Sequence, residues 1–536
     1  MGIPSYYKKL LDTNPGLVTE SHPDKEIQWL FMDFNCLIYH CLHREDTPIY
    51  PGHSEKESWE KEFIECIVRY CLKVIRIVDP KNGVFIAMDG VVPMAKMKQQ
   101  RLRRFKSSWL SKNSKEAKDS NHPKWDTNSI TPGTLFMNHL HTAIHNMIST
   151  HGKPSWIFSS SNEPGEGEHK IISYWRQHTP QGPYAIYGLD ADLIVLSLLG
   201  YETCHLQQPI WLFREQIQKG KIQYDLFGEE NFEWFSILHL RNWLSKSYQE
   251  QPELQHLFLL SYCFAMSILG NDFLPTSFSF RIREDGHSQL LSILHHCILQ
   301  QKYLIQPQSL ELISPSILYF FSQLSQNESQ RIHSFLLKKL SIHQSSSSLF
   351  HLSTPRIGDD DWPLLHFDEN ILLTFNNRLN NKWQELYLTH FFKGFSFNKK
   401  TIQEISKEYL YGIQWIWSYY TGQSNKICFN WYYPFSLPPL WEWICKEMEL
   451  PSFPDSILLT ASDIQPVEQL ALVLPLESWS LIPSCPQKLL PQLAPQFYPE
   501  SFSFDTLGKR FFWECESLIP LPSIFEIKQI INCLCS

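Results

Sequence analysis

The chain has 536 residues, 43% of them hydrophobic and 14% aromatic, with a net charge of −8. That composition excludes a disordered or fibrous protein, and the length suggests about two to four globular domains. The thirteen cysteines form no C-x-x-C pair, which excludes a disulfide scaffold and favours a reducing compartment, expected to be the cytoplasm with the nucleus also open.

Read from the N-terminus, Met1-Gly-Ile-Pro-Ser-Tyr-Tyr-Lys-Lys has no apolar signal-peptide core. Three apolar runs then stop at Asp: Trp29 to Asp33, Val84 to Asp89, and Ala185 to Asp190, with Asp192 just beyond. Each reads as a buried strand, and ligands of an open α/β sheet gather where its parallel strands end. Asp190 and Asp192 follow the third strand with Ala191 between them, and alternation would point both the same way while Ala191 packs behind.

From Lys96 to Lys118 there are nine Lys and Arg against one acid, Glu116. Lys96, Gln100, Arg103 and Arg104 fall on a stripe about 100° wide of one predicted helix. Because this helix leaves directly after Asp89, it would present one amide and three cations beside the acids. Such a set suits a terminal phosphate, which Arg grips as a planar fork and Lys as a point charge. Residues 106–130 are polar, Lys- and Ser-rich, and predict a loop.

Further on, Glu163-Pro-Gly-Glu166-Gly-Glu168-His-Lys combines glycines that permit close backbone approach with acids favoured at a helix start. His139, His141, His145 and His169 match no Cys/His zinc spacing and read as structural or surface residues. No G-x-S-x-G nucleophile motif occurs. The longest apolar run, about Leu257 to Leu269, is short of the ~20 residues of a membrane span and predicts a buried helix. Leu269-Gly-Asn-Asp272-Phe-Leu-Pro follows it.

After residue 300 the strand signals fade. Gln344-Ser-Ser-Ser-Ser348 and Gly358-Asp-Asp-Asp361 mark residues 307–361 as linker or surface insertion. From about 365 the chain reads as helical and rich in Trp and Tyr, and beyond 450 as Pro-rich. The expected organisation is a catalytic α/β domain over 1–300, a linker over 301–364, and a second region over 365–536. Seven carboxylates (Asp33, Asp89, Glu166, Glu168, Asp190, Asp192 and Asp272) converging in a low-dielectric cleft would repel strongly and require cations. Oxygen-only ligation points to magnesium or manganese, and a close pair of such ions is common equipment for phosphodiester hydrolysis.

These words together resemble the 5′→3′ exoribonuclease family. The matching stretches are MGIPSYYKKL at 1–10, LFMDFN at 30–35, FIAMDGVVPMAKMKQQRLRRF at 85–105, EPGEGEHKI at 163–171, IYGLDADLIVLSL at 186–198 and LGNDFLP at 269–275. Later come YLYGIQWIWSYYTG at 409–422, NWYYPF at 430–435, PVEQLALVLP at 466–475 and FYPESFSFDTLGKRFFWE at 497–514. The resemblance implies a PIN/FEN-like α/β nuclease domain, its central mostly parallel sheet flanked by helices, with a helical aromatic-rich second region closing over the site. It implies processive hydrolysis of 5′-monophosphorylated single-stranded RNA to 5′-mononucleotides. The seven carboxylates would be ligands of two Mg2+ ions, with Mn2+ able to substitute. Lys96, Gln100, Arg103 and Arg104 would form the 5′-monophosphate pocket, and Tyr39 and Trp431 would stack on the leading base.

Four departures accompany the match: Tyr39 where the family usually has His, Cys36 where it has Gly, Phe429 in place of Trp, and Ser436 in place of His. The resemblance further implies a compact member limited to the family's catalytic core, monomeric and free of membrane, with decapping or helicase proteins as candidate partners. Two alternatives stay open: a flap-type DNA 5′ nuclease, and a catalytically silent RNA-binding scaffold.

Overall fold

The computed structural model describes residues 3, 5–113, 123–188, 190–218, 221–349, 355–392, 395–447, 449–453, 459–482 and 490–535. Its centre is a sheet built from β1 (Val18–Thr19), β2 (Trp29–Asp33), β3 (Gly83–Ala87), β4 (Trp156–Ser159), β5 (Tyr184–Tyr187), β6 (Ile210–Glu215) and β7 (Phe232–Ser236). The order across the sheet is β1-β7-β6-β5-β2-β3-β4. The strands from β6 to β4 run parallel, while β7 and β1 close one edge antiparallel.

From β2 the chain winds through β3 to β4, then returns to the other flank of β2 with β5 and β6. The crevice at the carboxyl ends of β2 and β5 is therefore the topological switch point, the standard ligand position in such sheets. Phe31 of β2 sits opposite Phe85 of β3 and Ile186 of β5, and alternation along these strands feeds two separate cores. Phe31, Phe85, Tyr184 and Ile186 pack towards one layer, Leu30, Met32, Val84, Ile86 and Tyr187 towards the other. Helices α1 (Phe34–Leu42), α2 (Lys56–Val78), α3 (Met94–Asn113), α4 (Leu135–His151), α5 (Gly167–His178), α6 (Asp192–Thr203) and α7 (Pro252–Leu269) follow the strands. The apolar run ending at Leu269 forms the buried α7, as expected, and among the described residues no helix is long and apolar enough to cross a membrane.

Two expectations need correction. The loop predicted over 106–130 begins later, because α3 continues to Asn113. Trp109 packs edge-on against Phe504 at 5.2 Å, and the Lys106 ammonium donates to the carbonyls of Trp513 (2.9 Å) and Cys515 (2.6 Å). Residues 114–122 of that loop lie outside the described residues. The linker expected over 307–361 instead contains α8 (Ser314–Ser325) and α9 (Glu328–Leu349). Ile317, Phe320, Phe321 and Leu324 are fully buried and recur at helical spacing, so their stripe outweighs the polar composition around it. Glu328 then accepts hydrogen bonds from the backbone N–H groups of Trp441 (3.1 Å) and Glu442 (2.9 Å), fixing α9 to the start of a short helix of the second region.

The second region, which includes α10 (Lys399–Thr421), also clamps α3 through α11 (Pro466–Val473) and the segments around it. Met94, Met97 and Phe105 share a core with Leu470, Leu472, Ile482 and Ile527. Arg101, fully buried, donates to the carbonyls of Leu472 (2.6 Å), Pro520 (3.1 Å) and Phe497. Lys98 donates to those of Tyr433 (2.8 Å) and Phe435 (3.3 Å). Three of the helix's cations are thus spent on cementing the two halves. Replacing Arg101 by Met would strand three carbonyls, and we expect a loss of ~3 kcal/mol or more of stability, read as a lowered melting temperature.

Candidate active site

The site grows from the strand ends. Asp33 closes β2 and is buried, accepting from the Cys36 thiol at 3.0 Å. Asp89 lies just past β3, where Asn35 clasps it: Asn35 Nδ2 donates to Asp89 Oδ2 (3.0 Å) and the Asp89 N–H to Asn35 Oδ1 (3.2 Å). The turn carrying Glu166 and Glu168 is zipped against the turn after β3 by paired backbone bonds, Gly90 N–H to Gly165 O and Gly165 N–H to Val91 O, both 2.8 Å. Only glycine allows this approach, since a Cβ on Gly90 would stand 1.8 Å from the Glu163 carbonyl oxygen. Gly167 brings its N–H to Asp89 Oδ1 (2.8 Å), and a Cβ there would lie 2.7 Å from Asp33 Oδ1.

Glu166 stands at the N-cap position of α5 without a side-chain capping bond, and Glu168 sits in the first turn. Carboxylate oxygens of Asp33, Asp89 and Glu168 come within 4.8 Å of one another, and so do ligand atoms of Glu166, Glu168 and His169. Asp190 is exposed in the loop after β5, and Asp192 opens α6. That corrects the strand-alternation expectation: β5 stops at Tyr187, and a loop followed by a helix start places the two acids. Asp192 Oδ1 is buried without a hydrogen-bond partner. Asp272, beyond α7, meets the Lys96 ammonium at 2.7 Å, and Lys96 also contacts Glu166.

The electrostatics follow from this crowding. Burial, then the charges of Asp89 and Asp190, push Asp33 up to about 8. Burial, then Asp272 and Asp190, push Asp192 up to about 7. Glu168 is driven well above its ordinary value by burial and by Glu166 and Asp33. Burial would raise Asp272 as well, but Lys96 holds it below the usual carboxylate range. His169, with its ring centroid 4.0 Å from that of Tyr419, is kept neutral by burial.

A group of oxygen donors that the protein cannot by itself keep ionised, one of them with a buried unpartnered oxygen, fits a hard divalent cation. A sign follows for the metal-free protein. The folded state retains protons on Asp33 and Asp192 that the unfolded chain has already lost, so this stabilisation is present at pH 4 and vanishes as pH rises through about 7 to 8. The melting temperature without metal should fall between pH 5 and 8, and the increment restored by a divalent cation should grow over the same interval in thermal-shift measurements.

The four residues of the basic stripe diverge. Lys96 turns to the acids. Gln100 is buried and accepts from Gln469 Nε2 at 3.4 Å. Arg103 is exposed. Arg104 is buried, with Nη1 lacking a hydrogen-bond partner, and burial lowers its guanidinium to about 10 despite Tyr39, Asp126 and Asp89 nearby. Tyr39 is 36% exposed, not part of the core. Trp431 packs at 5.2 Å from Trp415, which stacks at 5.1 Å on Tyr419. Among the described residues Tyr39 and Trp431 share no ring contact.

Three contributors went unread in the sequence. Asn35 positions Asp89. Lys170, lowered to about 8 by burial, donates to the carbonyls of Met88 (2.7 Å) and Ser160 (2.8 Å) and ties the ends of β3 and β4 together. Tyr419 of α10 donates its hydroxyl to Glu166 Oε1 at 2.9 Å. All three sit inside the motif words, Tyr419 in the stretch at 409–422, but nothing in that stretch points to a carboxylate so far away in the chain.

Comparison with known proteins bears on this geometry. Residues 1–215 match the family model described as "XRN 5'-3' exonuclease N-terminus", and residues 377–528 the one described as "Xrn1 helical domain". The 5'-3' exoribonuclease 1 of Homo sapiens is 29% identical over 97% of this chain and 33% of its own length. That of Schizosaccharomyces pombe is 25% identical over 100% of this chain and 48% of its own. The chain thus spans a third to a half of the length of these curated relatives. The catalytic core of Rad2 in complex with DNA substrate aligns at a TM-score of 0.27 and 15% identity, over 51% of this chain and 63% of that one, which is too remote to carry an argument. Two family models met in order, on both sides of a cleft that takes every acid but Asp272 from the first and Tyr419 from the second, place the chain within the 5′→3′ exoribonuclease family, to which it belongs.

Proposed function

We propose that the chain is a processive 5′→3′ exoribonuclease that degrades 5′-monophosphorylated single-stranded RNA to 5′-mononucleotides. The observation that carries this reading is the joining of the acid cluster to a basic helix that leaves the same strand end. Asp33, Asp89, Glu166, Glu168, Asp190, Asp192 and Asp272 would hold two Mg2+ ions, or Mn2+ in their place. When bound, such ions supply Lewis-acid stabilisation of charge developing on the phosphate and on the departing 3′-oxygen.

The protein's own groups do the rest. Asn35, Gly167 and Cys36 orient Asp33 and Asp89 so that their oxygens face the cleft. Arg104, with an unused buried donor, grips the terminal phosphate together with Gln100 and Arg103. This fixes the first internucleotide bond beside the acids and makes cleavage exonucleolytic. Tyr39, exposed at the cleft, offers a face for the leading base, while Trp431 contributes from the aromatic wall behind Tyr419. A capped or triphosphorylated end is excluded by the enclosure of Arg104, and a hydroxyl end leaves its donor unpaired.

The test is a parallel assay of 5′-phosphate, 5′-hydroxyl and capped RNA, and of flap DNA, with Mg2+ present. Stepwise release of 5′-mononucleotides from the 5′-phosphate RNA alone is the expected result. Preferential cutting of the flap would favour a structure-specific DNA nuclease, and binding without cleavage a silent scaffold.

A further inference from the structure

Lys96 belongs to the basic stripe by sequence but to the acid cluster by contact. Its ammonium lies 2.7 Å from Asp272 Oδ2 and also touches Glu166 Oε2. The other oxygen of Glu166 accepts from Tyr419 at 2.9 Å. Both oxygens of Glu166, and Asp272 as well, are thus engaged by donors of the protein itself. The other half of the cluster differs. Asp33, Asp89 and Glu168 bring their oxygens within 4.8 Å of one another, and the donors to Asp33 and Asp89 are a thiol, an amide and a backbone N–H. Those neutral donors would leave lone pairs for a cation to use. An ammonium seated between two carboxylates competes with a cation for the same oxygens.

The two halves therefore have unequal standing towards divalent ions. The half at Asp33, Asp89 and Glu168 is open; the half at Glu166 and Asp272 is held by a lysine. Lys96 is one turn along α3 from Gln100 and about two from Arg103 and Arg104. Its flexible four-carbon stem can carry the ammonium from the acids to a phosphate held by those residues. A terminal phosphate bears a charge of about −1.5 to −2 and is a strong rival for it.

Resting on the reading of the chain as a metal-dependent nuclease with a 5′-phosphate pocket, we propose that Lys96 is an exchangeable counter-ion that keeps the Glu166–Asp272 half of the site from loading a divalent ion until a 5′-phosphate draws it away. The 5′-phosphate then both anchors the RNA and completes the metal set. Reciprocity requires that the second ion strengthen 5′-phosphate binding by the same factor, about 5- to 150-fold for couplings of ordinary size.

Counting bound Mn2+ per chain by electron paramagnetic resonance tests this, using an uncleavable phosphorothioate oligoribonucleotide with a 5′-phosphate or a 5′-hydroxyl. The wild-type protein should bind one ion tightly alone and with the 5′-hydroxyl strand, and two with the 5′-phosphate strand. Lys96→Met should bind two without any oligonucleotide, whereas Lys96→Arg, which keeps a cation there, should bind one. Two equally tight ions in the unliganded wild-type protein, or equal counts with both strands, would overturn the exchange and leave the nuclease reading standing. No tight Mn2+ under any condition would overturn that reading itself. The wild-type comparison of the two strands needs no variant and so does not depend on how Lys96→Met folds.

Discussion

Asp192→Asn is expected to cut Mg2+-dependent mononucleotide release by about 100- to 1,000-fold, the scale of losing one preorganised electrostatic contributor in a water-poor site. The same change should leave the metal-free protein at least as thermally stable as the parent. Asp192 Oδ1 has no partner to lose, and burial with the charges of Asp272 and Asp190 already opposes its ionisation. An uncharged amide of the same shape relieves that repulsion. A structural acid would behave in the reverse way, losing stability with activity. Single-turnover rates and melting curves of the two proteins, with and without Mg2+, separate the cases. Full activity in the Asn variant would remove Asp192 from the metal set.

The second large effect concerns end recognition. Arg104→Ala should reduce the preference for 5′-phosphate over 5′-hydroxyl RNA by about 10- to 100-fold, the equivalent of one charge-assisted hydrogen bond of ~1.5–3 kcal/mol. It should do so without the destabilisation expected for Arg101→Met. The two arginines are three residues apart on one helix, both buried, and opposite in commitment. Arg101 gives its donors to three carbonyls of the second region, whereas Arg104 keeps Nη1 unpaired. Competition between the two RNAs in a single reaction gives the preference directly. An unchanged ratio would mean that the terminal phosphate is held elsewhere.

The acids were legible because each lies in a short word next to a strand end or helix start, and backbone topology alone brings such ends together. Asp33, Asp89, Glu166 and Glu168 needed only that rule, as did the strands β2, β3 and β5 of a mostly parallel sheet. The strand-alternation argument for Asp190 and Asp192 fails, since the strand stops before both. Lys96 shows where a helical wheel ends. The wheel assigned it to a face shared with Gln100, Arg103 and Arg104, but could not show that Glu166 and Asp272 lie opposite its tip.

Tyr419 could not be found locally, being 253 residues from the carboxylate it supports. The helices at Ser314–Ser325 and Glu328–Leu349 were hidden by serine and acidic runs at their borders, although the apolar stripe through Ile317, Phe320, Phe321 and Leu324 was present to be counted. Tyr39 and Trp431, expected as a pair, occupy different settings, one exposed and one packed against Trp415. How a base would bridge them depends on side-chain reach across the cleft, which spacing in the chain does not encode.

The gathering of distant acids into a site for two divalent ions is tested most directly by anomalous diffraction from crystals soaked in Mn2+ with an uncleavable 5′-phosphorylated RNA. Two anomalous peaks are expected, one against Asp33, Asp89 and Glu168 and one between Glu166, Asp192 and Asp272. A map with no peak among these side chains, in crystals where the RNA is visible, would contradict the account.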